Sequence, residues 1–348
     1  MAGSADGLLK TYFSIQYLRA AAAIAVATYH AFQWLDGGFD VGRAGVDVFF
    51  VISGFIMWSI TAGRSVRPAS FLWRRFTRVA PTYWIVTLAL AATVLVWPAF
   101  LVNVQAGWSH VLLSMAFITH FGPNGLPFPV LPAGWTLNYE AVFYLLCAAG
   151  LLLREPARLV VVTGALFAIG IVGLLYPPLY PLGANLMMAE FAAGLWLAKL
   201  VQDRALPGAG IGAAMAALAL AAFAVTNSAW FGDALVRPLT WGVPALMLVC
   251  GAVALEERGK VPHWPWLKAL GDASYSIYLC HAPATALVAH GLGTGQALLF
   301  VPAGVAASIA AGLACRRFVE RPLLEVLRRG EVERRRPDVE WRPAPGTE

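Results

Sequence analysis

Long apolar runs alternate with short polar segments along this chain, and this pattern limits the possible folds more than any single motif does. A helix needs about 20 apolar residues to cross a bilayer. Ten runs approach that length, near 12–35, 44–62, 79–99, 135–153, 159–176, 183–201, 208–226, 236–255, 270–290 and 295–316. Because lipid cannot satisfy backbone hydrogen bonds, the runs predict an all-α, polytopic transmembrane helical bundle of about ten spans.

Composition supports a membrane protein and argues against a nucleic-acid partner. Of 348 residues, 59% are hydrophobic and 13% are charged, against about 25% charged residues in typical soluble domains. The formal net charge is +6, but the basic residues cluster between apolar runs, as expected for topology signals rather than nucleic-acid contacts. The four cysteines are scattered singly, which gives no support to disulfide or metal sites. We therefore expect membrane lipids as partners, no nucleic acid and no metal.

The distribution of basic residues predicts the orientation of the chain. The basic stretches are 64–78, 154–158, 199–204, 256–268 and 316–336. They share one side only if the short run 108–121 does not cross, so we expect a re-entrant or interfacial helix there and both termini in the cytoplasm. The opposite side receives loops 36–42, 100–134, 177–182, 227–235 and 291–296. The Gly/Pro-rich 100–134 loop is expected to form a lid or cleft wall.

Three segments follow from these patterns. We expect a cytoplasmic segment over 1–11, a transmembrane domain over 12–322 and a charged, partly disordered cytoplasmic tail over 323–348. The beginning of the chain lacks the features of a cleaved signal peptide, so the first span is expected to remain.

Two ionisable residues, Arg19 and His30, lie in the first apolar run, SIQYLRAAAAIAVATYH. A charge in the bilayer centre costs about 2.5–3.5 kcal/mol, so both side chains should face the protein interior. Their spacing of eleven residues returns to nearly the same helix face after a rise of about 16 Å. An imidazole can exchange protons at cellular pH. A catalytic His30 and a structural His30 hydrogen-bonded between helices are both consistent with this pattern.

Two carboxylates begin spans on the non-cytoplasmic side. Asp47 in GVDVFFVISGF could orient His30 or cap its helix. Glu140 in GWTLNYEAVFY could also contribute to catalysis. The aromatic residues Trp135 and Tyr139 beside it suit either a sugar-stacking wall or an interfacial aromatic belt.

Two further clusters could bind a substrate. Arg75 and Arg78 in RRFTRVAPTYW share a helix face and could hold phosphate oxygens, or could serve as topology signals. Tyr275, Tyr278 and His281 in LGDASYSIYLCHAP recur at three-residue steps. They could line a cavity or form a buried hydrogen-bond ladder.

In this order, these motifs together with the closing FVERP resemble the integral-membrane acyltransferase 3 family, especially its exopolysaccharide-modifying branch. The resemblance covers about 12–145 and 265–322, whereas the middle matches only in hydrophobicity. The family's arginine–histidine motif falls on Arg19 and His30, and its RxxR pair falls on Arg75 and Arg78.

The resemblance implies a membrane-bound O-acyltransferase of the bacterial inner membrane. Such an enzyme would move an acyl group, acetyl foremost, from cytoplasmic acyl-coenzyme A to a sugar hydroxyl of an exopolysaccharide or its lipid-linked precursor. Arg19, Arg75 and Arg78 would then bind the coenzyme phosphates. His30 would act as general base, with Asp47 or Glu140 orienting it, or would itself form an acyl-histidine intermediate. The residues that would contact the acceptor are Trp135, Tyr139, Tyr275, Tyr278 and His281. The chain has no room for the second, hydrolase-like domain of some relatives. It would therefore either meet the acceptor itself or rely on a partner, such as a polysaccharide biosynthesis or export protein.

Two other functions suit the same residues. A transporter or flippase for a lipid-linked or anionic saccharide would also use buried arginine and histidine residues, although the sequence shows no repeated halves. A non-catalytic partner in a polysaccharide export complex is the third candidate.

Overall fold

The computed structural model describes residues 11–175, 186–233 and 235–327, which contain helices, turns and loops but no strand. Eleven α-helices occur in these ranges. They are α1 Phe13–Gln33, α2 Ala44–Thr61, α3 Pro68–Val96, α4 Trp108–Met115, α5 Trp135–Gly150, α6 Glu155–Leu175, α7 Met188–Gln202, α8 Ala209–Val225, α9 Val243–Glu256, α10 Pro265–Leu292 and α11 Ala297–Cys315. All except α4 coincide with a predicted apolar run, and the all-α prediction is confirmed for this part of the chain.

Five helical segments are long and apolar enough to cross a membrane. They are Asp40–Thr61, Pro68–Val96, Glu155–Leu175, Pro238–Glu256 and Ala297–Leu327. Large apolar side chains on their outer faces, such as Leu95 and Leu298, are exposed, as expected for surfaces that contact lipid. The chain is thus a membrane protein, while the total of ten spans and the location of the termini stay predictions. The 177–182 loop and residues 1–10 and 328–348 of the predicted terminal segments lie outside the described residues.

Two helices begin earlier than the apolar runs indicate. Helix α3 starts at Pro68 and α10 at Pro265, each with proline in the first turn. Proline is favourable there because the first N–H groups of a helix have no intrahelical partner. The arginine-rich segment therefore belongs to α3 rather than to a preceding loop.

The helix expected near 108–121 is shorter than predicted. Helix α4 ends at Met115, and Phe117 adopts a positive φ of 57°. This left-handed residue reverses the chain, so that Nδ1 of His110 lies 2.6 Å from Nε2 of His120. The prediction was wrong for 116–121, where the chain forms a turn against α4.

Helix α1 lies among α2, α10 and α11, and small residues allow its close approach. Ala20, Ala23 and Ala27 are completely buried. A Cβ at Gly271 of α10 would lie 2.0 Å from the carbonyl oxygen of Gln16. Such backbone proximity is typical of helices that pack through small residues in membranes. It fixes the positions of the two ionisable residues that α1 carries.

A carboxylate from α9 caps the beginning of α1. Glu256 accepts hydrogen bonds from the backbone N–H groups of Phe13 and Ser14 at 2.8 and 2.7 Å, and from the Ser14 hydroxyl at 2.5 Å. These bonds satisfy donors that have no partner within the helix, and the negative charge suits the helix N-terminus. The contact ties α1 to α9 near the end of the helix that carries Arg19.

Candidate active site

An inner cavity of about 800 Å³, counting the space at its open mouth, brings the three predicted phosphate-binding arginines together. Arg19 comes from α1, whereas Arg75 and Arg78 come from α3. The other polar groups of its lining come from Ser53, Thr136, Glu140, Tyr144, Ser274, Tyr275 and Tyr278. The cavity therefore contains three guanidinium groups and one carboxylate, which favours an anionic ligand.

The three arginines differ in how far protein groups satisfy them. Nε of Arg19 donates a hydrogen bond to Oγ of Ser274 at 3.2 Å. Arg78 lies 4.0 Å from the buried carboxylate of Glu320. Nε of Arg75 is buried and has no hydrogen-bond partner among the described residues. Because a buried donor without a partner is costly, Arg75 is suited to binding an anionic oxygen of a ligand.

Glu140 lies in this inner cavity rather than beside His30. Its carboxylate accepts hydrogen bonds from Ser53, at 3.1 Å, and from Tyr144 of the following helical turn. No contact joins it to His30 in the described structure. The role predicted for Glu140 in orienting the imidazole has no geometric support, and its observed neighbours associate it with the arginine-rich cavity.

A second, larger space, the outer cleft, contains His30. Its volume is about 2280 Å³ including the open mouth. Residues of the long 100–134 loop form one wall, as predicted for this segment. The polar and aromatic part of the lining comprises Tyr29, His30, Gln33, Trp34, Arg43, Asn103, Phe128, Trp135, Tyr139, Arg237, Tyr278, His281 and Thr285.

Two imidazoles, His30 and His281, lie side by side in the outer cleft with 4.5 Å between ring centroids. Nδ1 of His30 is 2.9 Å from the Val26 carbonyl oxygen, and Nδ1 of His281 is 2.5 Å from that of Tyr278. A carbonyl only accepts, so each neutral ring must carry its proton on Nδ1. Each Nε2 therefore has a free lone pair and can accept a proton or a hydrogen bond.

Asp47 is completely buried and pairs with Arg237 instead of His30. Nε and Nη2 of Arg237 lie 3.0 and 2.8 Å from the two carboxylate oxygens, which is the bidentate geometry of a strong ion pair. The side chain makes no capping hydrogen bond at the start of α2. The structure thus supports neither predicted role of Asp47, because its carboxylate is already occupied.

The aromatic residues predicted to contact a sugar line the outer cleft. Trp135 and Tyr139 make an edge-to-face contact with 5.5 Å between centroids. Tyr139 is only 1% exposed, which does not fit an interfacial aromatic belt. Trp135 is half-buried and lines the same cleft as the histidine pair, so its ring is the one on which a sugar could stack.

The inner cavity and the outer cleft meet at Val46 and Tyr278, which line both. The Tyr278 hydroxyl lies 3.0 Å from the Thr136 hydroxyl and 3.2 Å from the Ala133 carbonyl oxygen. Tyr275 lines only the inner cavity, where its hydroxyl donates to the Val79 carbonyl at 2.7 Å. A thin wall therefore separates the arginine cluster from the histidine pair.

Sequence reasoning missed Arg43 and Arg237 of the outer cleft. Each directly follows or closely follows a loop predicted to be non-cytoplasmic, where basic residues are disfavoured. Their departure from this rule could have marked both arginines as candidate functional residues. The pairing of Arg237 with Asp47, 190 positions apart, had no local signal.

Comparisons with known proteins agree with the earlier resemblance. Residues 12–317 match the model of the acyltransferase 3 family, described as an acyltransferase domain. The chain is 37% identical to the exopolysaccharide production protein ExoZ of Rhizobium meliloti, over 88% of this chain and 96% of that protein. It is 30% identical to the putative membrane-bound transacylase BcsY of Komagataeibacter xylinus, over 77% of this chain and 72% of the relative.

A more distant relative is the peptidoglycan O-acetyltransferase OatA of Listeria monocytogenes, at 27% identity. That match covers 89% of this chain but only 55% of OatA. No solved structure matches the chain. The family match over most of the sequence establishes that the chain belongs to the acyltransferase 3 family of membrane-bound O-acyltransferases.

Proposed function

We propose that this protein transfers an acyl group, acetyl foremost, from acyl-coenzyme A in the inner cavity to a sugar hydroxyl in the outer cleft. The observation that carries the proposal is the placement of Arg19 and His30 on one continuous helix, with Arg19 in one cavity and His30 in the other. The name of ExoZ favours an exopolysaccharide or its lipid-linked precursor as the acceptor.

The inner cavity has the chemistry required by a phosphorylated donor. Arg19, Arg75 and Arg78 face one space, and guanidinium groups bind phosphate oxygens through paired hydrogen bonds. The unpartnered Nε of Arg75 would gain an acceptor. Because coenzyme A is too charged to cross lipid, its phosphates would stay at this end, on the cytoplasmic side of the inner membrane.

The outer cleft would hold the acceptor and the general base. Nε2 of His30 would take the proton of the sugar hydroxyl as its oxygen attacks the thioester carbonyl. The carbon–sulfur bond then breaks, and the protonated imidazole returns the proton to the departing thiolate. The second imidazole, His281, would accept a hydrogen bond from the acceptor and position it.

The acyl group must pass the wall between the two spaces. Tyr278 is part of that wall, so its side chain would have to move or admit the slender pantetheine arm beside it. The separation of Arg19 and His30 along α1, about 16 Å from the helical rise, suits a donor whose phosphates and thioester lie far apart.

The experiment uses the purified protein with labelled acetyl-coenzyme A and a saccharide acceptor. We expect free coenzyme A thiol and acylated saccharide to form together, and His30→Ala to lower the rate at least about a hundredfold, as for loss of a general base. His263→Ala is the matched control, because His263 is exposed and lies outside both cavities. Saccharide movement into vesicles without thiol release would instead support a transporter. Unchanged acylation in His30→Ala would contradict the assigned base.

A further inference from the structure

Arg43 lies in the outer cleft with an uncommitted guanidinium group. It ends the short helical turn Asp40–Arg43 before α2, and its Cζ lies 5.8 Å from the centroid of the Tyr29 ring and 5.1 Å from that of Trp241. Its Nε is buried without a hydrogen-bond partner. Within the described ranges its guanidinium makes no ion pair, and two aromatic rings and the backbone of Gly232 lie beside this cation.

Arg43 carries a positive charge that no carboxylate offsets among the described residues that line the outer cleft. The other arginine in the lining, Arg237, is neutralised by the bidentate contact with Asp47. No aspartate or glutamate belongs to the described lining. An anionic group that enters the cleft would therefore meet one free guanidinium and no opposing carboxylate.

Neighbouring groups hold the Arg43 guanidinium in place. A Cβ at Gly232 would lie 1.6 Å from Nη2 of Arg43 and 2.6 Å from the Trp241 ring, so glycine is required for this packing. The indole N–H of Trp241 donates to the Thr226 hydroxyl at 3.1 Å. The cation is thus pre-positioned by its surroundings, which lowers the entropy cost of binding a ligand.

Tyr29 connects this cation to the histidine pair. Its ring lies beside Arg43 and also makes an edge-to-face contact with His30, at 4.8 Å between centroids. A ligand group bound to Arg43 would consequently be a near neighbour of the group that receives the hydroxyl proton.

We propose that Arg43 forms an anion-binding subsite that holds a carboxylate or phosphate of the saccharide acceptor beside His30. This inference rests on the proposed function for the identity of the ligand as an acceptor. The anionic oxygens could belong to an acidic sugar residue or to a phosphorylated lipid carrier, since both offer the same chemistry to a guanidinium. A neutral saccharide would lack this contact.

Calorimetric titration of the detergent-purified full chain tests the subsite without turnover. One pair of probes is cellobiouronic acid and cellobiose, and the other is farnesyl phosphate and farnesol. We expect the acidic member of at least one pair to bind about tenfold or more tightly than its neutral partner, as for one charge-assisted hydrogen bond. The pair that shows the preference identifies whether sugar carboxylate or carrier phosphate is recognised.

Three variants assign the preference to Arg43. Arg43→Gln should abolish it, and Gly232→Ala should reduce it by displacing the guanidinium while leaving the arginine in the chain. Arg321→Gln makes the same change of net charge at an exposed position and should retain the preference. If Arg43→Gln does not fold, the preference for the acidic probe is measured in Gly232→Ala and Arg43→Lys instead.

The outcomes separate this inference from the proposed function. Equal binding of acidic and neutral probes by the unchanged protein, or a preference that survives in Arg43→Gln, would overturn the subsite. His30→Ala should lose acyl transfer but keep the binding preference. A protein that shows the preference without any acyl transfer would refute the proposed function and leave the anion site standing.

Discussion

At the scale of single residues, the buried charges of the inner cavity have distinct surroundings that predict distinct effects. Arg78 approaches a carboxylate, Arg19 binds a serine hydroxyl, and Nε of Arg75 has no described partner. Since an unsatisfied buried donor gains most from an incoming acceptor, Arg75 should contribute most to donor binding. Arg78 should contribute less because Glu320 already offsets part of its charge.

We predict that Arg75→Gln raises the Michaelis constant for acyl-coenzyme A about tenfold or more, and that it lowers the turnover number much less. The reason is the loss of a charge-assisted contact to phosphate that exists in both the ground and transition states. Steady-state kinetics with a saturating acceptor measures both constants. Arg74→Gln, at a neighbouring residue outside the cavity lining, is the matched control. A turnover defect with unchanged donor affinity would contradict this role.

Ionisable residues within apolar runs indicated part of the site, because a charged side chain in lipid has a high free-energy cost. That cost pointed to Arg19 and His30 in an apolar run, and both line cavities. The same cost could not show that Asp47 pairs with Arg237, because the two residues are brought together only by helix packing. Glu140 was misplaced for the same reason: its depth along α5 indicated the His30 side, but its side chain lines the inner cavity.

At the scale of helices, glycine pairs set the distance between α2 and α7. A Cβ at Gly194 would lie 2.0 Å from the Val51 carbonyl oxygen, and a Cβ at Gly54 would lie 2.1 Å from that of Phe191. The backbones are therefore in direct contact. Because α2 carries part of the walls of both cavities, this contact also supports the site.

We predict that Gly194→Ala destabilises the fold by about 1–3 kcal/mol, since an added methyl group has no space between the two backbones. Thermal unfolding in detergent measures the change. Gly164→Ala is the matched control, because Gly164 lies within α6 and a Cβ there meets no atom within 4 Å. Alanine at that position should be neutral or slightly stabilising. Equal effects of the two substitutions would refute the packing argument.

Two histidines, His110 and His120, contact each other within the 100–134 loop, other parts of which line the outer cleft. Nδ1 of His120 lies 2.8 Å from the Ile118 carbonyl oxygen, so this atom carries the proton and Nε2 accepts from His110. Burial, and then the adjacent His120, lower the pKa of His110 below its ordinary value. Its contribution to stability is therefore present above the ordinary value of about 6.5 and is lost as the pH falls below it.

We predict that amide hydrogens of this loop exchange faster at pH 5.5 than at pH 7.5, after correction for the intrinsic pH dependence of exchange. Hydrogen–deuterium exchange followed by mass spectrometry provides the measurement. His120→Asn should show much less difference between the two conditions, because the neighbouring imidazole that helps to lower the pKa of His110 is removed. Equal protection of the unchanged loop at both pH values would show that the pair does not control it.

Helix positions followed from hydrophobicity much better than helix ends did. The apolar runs marked α1, α2 and α5 closely, since the burial of apolar residues determines where these helices lie. The apolar runs did not reach the beginnings of α3 and α10, which start with proline, because charged residues follow soon afterwards, Arg74, Arg75 and Arg78 in α3 and Lys268 in α10. The end of α4 depends on the left-handed conformation of Phe117, which its side chain does not indicate.

Across the whole molecule, the described residues form two spaces that meet at one wall, to which Val46 and Tyr278 contribute. The arginine cluster lies in the inner cavity, the histidine pair lies in the outer cleft, and α1 contributes to both. Periodicity along α1 predicted the separation of Arg19 and His30, but not the wall at Val46 and Tyr278. Val46 belongs to α2 and Tyr278 belongs to α10, and both helices pack against α1. The wall therefore depends on helix packing, and no single segment encodes it.

The most direct test of this arrangement is a sidedness measurement in sealed proteoliposomes of defined protein orientation. Labelled acetyl-coenzyme A is enclosed on the side of the arginine cluster, and the saccharide acceptor is supplied only on the side of the outer cleft. We predict that acylated saccharide appears on the acceptor side while all free coenzyme A remains on the donor side. Acylation that occurs only when both substrates share one side would contradict transfer between the two spaces.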